Sequence, residues 1–120
     1  MLAVLFAQIA GERTTEFFDA IRKGDAAAVR ALLAAAPKLA EAHNADGATP
    51  ALWAAYTRHP ELAETVLGGR APDFFEACAL GRGDRSAKLL EQNPKLIEDY
   101  SGDGFTGLGL AVFFGHVEIA

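Results

Sequence analysis

The side chains able to do chemistry in this sequence are few: His43, His59, His116, a single cysteine at Cys78, Ser86, Ser101, and carboxylates such as Asp19 and Glu76. Nucleophilic catalysis needs an activated Ser or Cys beside a base. Neither serine sits in a pattern with a His and an acid, and no basic residue is placed to lower the thiol pKa of Cys78, which reads as core. The histidines lie in different segments with no carboxylate or cysteine at ligand spacing, so no metal site is expected. Asn44-Ala45-Asp46-Gly47 and Ser101-Gly102-Asp103-Gly104 look like the start of a calcium loop but lack the closing glutamate. Asp19 and Glu76 could be imagined as an acid/base pair; solvated helix faces explain them better.

Gly102-Asp103-Gly104-Phe105-Thr106-Gly107 spells G-x-G-x-x-G, a pattern in which backbone amides meet a pyrophosphate at a helix start. That chemistry needs a preceding strand and a βαβ unit, and the sequence offers neither, so the segment reads as a hairpin turn. Arg82-Gly83-Asp84 is read as a link between helices with Asp84 as an N-cap. No cofactor, metal or small-molecule substrate is therefore expected, and no enzymatic activity.

The elements that position these residues emerge from self-comparison. A shift of 57 residues aligns Phe17-Phe18 with Phe74-Phe75, Gly24 with Gly81, Pro37-Lys38-Leu39 with Pro94-Lys95-Leu96, Asp46-Gly47 with Asp103-Gly104, Thr49 with Thr106 and His59 with His116. Over 17–63 there are 17 identities in 47 positions, where a chain this rich in alanine gives about four by chance. The chain is an internal duplication. Apolar residues at helical spacing fall in short blocks separated by Gly, Pro or Asp-Gly. Inner helices are predicted near 15–23, 50–57, 73–80 and 107–114, outer helices near 26–35, 60–68 and 84–92, and a further one starting at Val117. Helices this short are marginal alone and must bury a face against a neighbour, which a stacked all-α solenoid achieves.

Length and composition agree with one domain. The chain has 120 residues, 51% of them hydrophobic, and a net charge of −5. Eleven basic against sixteen acidic residues, with no Lys or Arg run, leaves no footprint for nucleic acid. Residues 1–60 carry six acids and six bases and residues 61–120 ten acids and five bases, so the second half holds the whole excess. No apolar run approaches the roughly 20 residues of a membrane span. The opening MLAVLFAQIAGERT has no Lys or Arg before its apolar run and no small-x-small cleavage pair; it reads as a capping helix over 1–14, with a cleaved leader as the alternative. Leu2, Leu5, Phe6 and Ile9 would form its apolar stripe. A lone cysteine fits a reducing compartment, hence a cytoplasmic location.

Two segments resemble ankyrin repeats. DGATPALWAAYTRHPELAETVL, from Asp46, carries the family's Asp-Gly, Thr-Pro, Ala-Ala, His and Glu positions, and DGFTGLGLAVFFGHVEIA, from Asp103, carries its Asp-Gly, Thr, Leu, Ala, Gly-His and Glu-Ile. Two looser units, through Gly24 with Leu32-Leu33 and Gly81 with Leu89-Leu90, extend the resemblance over 15–120, about three and a half repeats. The family's T-P-L-H histidine is replaced by Leu52 and Gly109, and Pro50 has Gly107 as its counterpart, which predicts a looser last inner helix. At the Gly-His position, His59 and His116 are expected to orient the outer helices. The resemblance implies an ankyrin-type α-solenoid of stacked helical hairpins, truncated in its last repeat, that binds another protein. It implies contact through turn tips and inner-helix ends: Ala45, Asp46, Ala48, Tyr56 and Thr57; Gly102, Asp103, Phe105, Phe113 and Phe114; Arg22 and Lys23; Ala79 and Leu80. The alternatives are a regulatory or targeting segment of a larger enzyme whose catalytic part lies beyond residue 120, and a structural spacer.

Overall fold

The structure, a computed structural model, describes residues 2–116, and the side chains of residues 13–116. It is helical, and among the described residues the only β pairing is an isolated bridge between Tyr100 and Thr106. Among the described residues seven α-helices follow in order: α1 (Leu2–Lys23), α2 (Ala26–Ala35), α3 (Pro50–Tyr56), α4 (Ala63–Leu67), α5 (Phe74–Leu80), α6 (Gly83–Gln92) and α7 (Gly107–Phe113). Helices α1, α3, α5 and α7 pack side by side as one layer, and α2, α4 and α6 lie against them as a second.

Local chemistry explains several of the starts and stops. Asp25 caps α2 by accepting from the Ala28 N–H at 3.1 Å, Thr49 caps α3 through the Leu52 N–H at 3.2 Å, and Thr106 caps α7 through the Gly109 N–H at 3.0 Å. Asp73 and Glu76 form a capping box at the start of α5. Helix α1 stops at Gly24 and α5 at Gly81, with φ of 72° and 75°, where L side chains are strained. A Cβ on Gly24 would lie 2.5 Å from the His59 ring, and one on Gly81 2.7 Å from the His116 ring. Each histidine thus reaches back to the end of the preceding inner helix in its half, and His116 Nε2 lies 3.0 Å from the Ala79 carbonyl.

Two clusters fill the space between layers. Phe17, Ile21 and Val29 pack with Leu62, Val66 and Leu67, and Leu52 packs with Phe74, Cys78 and Leu110. Buried alanines Ala51, Ala54, Ala77 and Ala111 let the inner helices approach closely.

Several details differ from the sequence reading. The first inner helix is the end of an unbroken α1 beginning at Leu2; the stripe Leu2, Leu5, Phe6 and Ile9, and the helix anticipated from Val117, lie outside the described residues or side chains. Arg82 rather than Asp84 occupies the N-cap of α6, without a side-chain cap bond, and Asp84 sits in the first turn. The long connections contain 3₁₀ turns at Pro37–Glu41 and Pro94–Glu98, each opened by a proline whose φ is preset for a helical turn. At Gly107 a Cβ would stand 2.4 Å from the Phe74 ring and 3.2 Å from Cys78 Sγ, so this glycine lets α7 close on α5 rather than merely loosening its helix.

Candidate functional site

The residues that come together at the surface belong to two turns and the ends of two inner helices. In the first turn the Asn44 side chain accepts from the Asp46 and Ala48 N–H groups at 3.0 and 2.9 Å. In the second, Ser101 Oγ accepts from the Phe105 N–H at 3.1 Å and donates to the Asp103 carboxylate. Gly47 (φ 88°) and Gly104 (φ 91°) take the left-handed positions that the paired Asp-Gly steps predict. The turns abut through backbone, since a Cβ on Gly47 would fall 2.3 Å from the Gly102 carbonyl oxygen. No side chain fits between them, so Asp46 and Asp103 are held on one edge.

Below that edge, Tyr56 at the end of α3 is the hub of an aromatic cluster. Its ring centroid lies 6.2 Å from Phe105, 6.2 Å from Phe113 and 5.5 Å from Phe114, and Phe113 meets Phe114 edge-on at 4.9 Å. Phe105 and Phe113 remain 47% and 71% exposed. A cleft of about 350 Å³ runs between turns and cluster, lined by Asn44, Asp46, Ala48, Trp53, Tyr56, Asp103 and Phe105. The Tyr56 hydroxyl is buried there without a hydrogen-bond partner in good geometry. Burial first, and then the nearby Asp103 carboxylate, push its pKa well above the ordinary tyrosine value.

Of the anticipated contact residues, Asp46, Tyr56, Asp103 and Phe105 line this cleft, and Phe113 and Phe114 flank it through the aromatic cluster. Thr57 is half-buried and donates its hydroxyl to the Trp53 carbonyl at 2.8 Å. Three positions are corrected, one of them Ala79, which is 2% exposed inside the second core cluster. Ala48 is only 1% exposed, because its backbone closes the turn and turns its methyl into the core. Leu80 packs against both core clusters rather than standing free at a helix end. Trp53, which the sequence reading left aside, donates its indole N–H to the Phe18 carbonyl at 2.9 Å and joins this cleft to a neighbouring groove that also contains Phe18, Asp19 and Arg22.

Asp19, Glu76 and Cys78 have structural surroundings. Asp19 pairs with Lys23 at 3.0 Å and with Arg22. Glu76 is a correction: it is 0% exposed rather than on a solvated face. Its carboxylate takes two bonds from Arg70 at 2.9 and 3.1 Å, one from the Thr49 hydroxyl at 2.8 Å and one from the Asp73 N–H at 2.9 Å. Burial pushes this carboxyl up, but the Arg70, Asp73 and Thr49 bonds together outweigh it and hold the pKa below its ordinary value. A carboxylate so fully engaged is a joint between α3, α5 and the loop before α5. Burial pushes the Cys78 thiol up to about 11, leaving it protonated and unreactive at neutral pH. The G-x-G-x-x-G stretch is the second turn and leads into α7 with no strand before it. Among the described residues no group of three or more His, Cys, Asp or Glu could hold a metal ion. No protein-family model matches the chain, and no curated protein matches it significantly.

Proposed function

We propose that this chain is a non-catalytic, cytoplasmic protein-binding module of the ankyrin type, meeting its partner along the edge formed by the turn tips and the ends of α3 and α7. The observation that carries this reading is the aromatic cluster. Phe105 and Phe113 leave much of their ring surface in water beside Tyr56, where a surface with no partner favours polar residues, and aromatic anchors supply much of the energy at interfaces. The ankyrin assignment is supported by the duplicated Asp-Gly turns, the Thr49 and Thr106 caps, and the two-layer arrangement of paired helices. Asp19 and Glu76 are held in ion pairs and Cys78 is buried, which favours binding over catalysis.

Affinity capture with the purified chain, followed by direct titration of the recovered protein, tests the proposal. Phe105→Ala should weaken a direct interaction by about 1 kcal/mol or more. An interaction indifferent to both Phe105→Ala and Tyr56→Ala would move the binding face to the outer helices, and failure to recover any direct binder would count against a binding function.

A further inference from the structure

We propose that the cleft between the two turn tips is a seat for an arginine side chain presented by a partner polypeptide. This rests on the protein-binding reading and specifies what that surface recognises. One wall is aromatic, with Tyr56 and Phe105 rings 6.2 Å apart, and the edge carries Asp46 and Asp103. No Lys, Arg or His is among the lining residues, so two carboxylates bear on one small cavity with no cation in its wall. The neighbouring groove is different, because its Asp19 is already paired with Arg22 and Lys23. The cleft therefore presents the less compensated negative field.

Shape and hydrogen bonding narrow the ligand further. At about 350 Å³ the cleft is at the small end of ligand-pocket sizes, suited to one inserted side chain. The Asp46 and Asp103 carboxylates on its edge are acceptors, so a ligand bringing N–H donors is favoured there. A guanidinium has five donors in a planar fork and stacks on aromatic rings. A lysine ammonium is compact and strongly hydrated, and stacks less well.

The test is a titration of the chain with three blocked tripeptides, acetyl-Gly-Arg-Gly-amide and its lysine and citrulline counterparts, followed by NMR shifts of the Tyr56 and Phe105 rings. The arginine peptide should give saturable shifts, the neutral citrulline peptide should bind about tenfold more weakly, and the lysine peptide should fall between them. Asp46→Asn should weaken the arginine peptide by about threefold to tenfold, and added salt should do the same. Asp46 is the variant of choice because Asn44, not the Asp46 carboxylate, holds its turn. Equal shifts with citrulline, or no saturable shift, overturn the proposal. Selection from a random displayed peptide library separates the two readings. Arginine-bearing peptides that lose binding to Asp46→Asn support the seat. Arginine-free peptides that bind and are lost in Phe105→Ala overturn the seat and keep the binding module. A library that yields no binder counts against both.

Discussion

At Glu76 a single carboxylate joins three parts of the chain, and its protonation is linked to folding. Its folded pKa is lowered, so it contributes stability that is present above its ordinary value of 4.5 and is lost as pH falls through the folded value. Glu76→Gln keeps the volume but leaves Arg70 facing an amide; because Arg70 is itself 44% exposed and can find water, the cost should be about 2 kcal/mol rather than the larger penalty of a wholly buried pair. Urea midpoints at neutral pH and at pH 3 check this: the variant should lose less than the wild type on acidification, and an equal loss would remove Glu76 from the acid transition. Arg58 offers the opposite case. It is the one described non-glycine residue with positive φ, 65°, at the position where the second half has Gly115 at 78°. Arg58→Gly should relieve left-handed strain and, after the extra chain entropy of glycine, stabilise the protein by about 0.5–1 kcal/mol in urea unfolding.

For the elements, helix propensity and packing make opposing demands at the start of α7. Alanine at Gly107 would gain up to about 1 kcal/mol in helix propensity. Its Cβ would press on the Phe74 ring at 2.4 Å, and overpacking typically costs about 1–3 kcal/mol. Packing should win, so Gly107→Ala is expected to destabilise by about 1 kcal/mol, and a raised urea midpoint would show that α7 can slide away from α5. Gly109, on the same helix, isolates the propensity effect. A Cβ there meets only Thr106 Oγ1, at 3.1 Å, and Gly109→Ala should be neutral to stabilising by about 0.5 kcal/mol.

Across the whole molecule, the two halves use equivalent positions differently. Ala51 and Ala55 of α3 are buried, one in each core cluster, whereas their counterparts on α7, Leu108 and Val112, are 54% and 60% exposed. Substituting Leu108→Lys together with Val112→Glu should therefore change unfolding free energy by less than about 0.5 kcal/mol while reducing any self-association seen by sedimentation. A loss of several kcal/mol would mean that this face is covered in solution.

The sequence by itself determined what depends on near neighbours: helices at 26–35 and from Pro50, the Asp-Gly turns with glycine at positive φ, the breaks at Gly24 and Gly81, and the duplication that makes one half a template for the other. These are properties of propensity, capping and turn chemistry within a few residues, and they survive whatever packs around them. Only the tertiary structure decided which of the polar and turn-tip residues lie inside. Glu76 reads as a surface carboxylate until Thr49, 27 residues earlier, and Arg70 converge on it. Ala48 reads as surface until its turn closes it into one core, and Leu80 until both cores reach it. Burial, cation pairing and the cleft between Asp46 and Asp103 depend on distances between residues far apart in sequence, and periodicity carries no record of those distances.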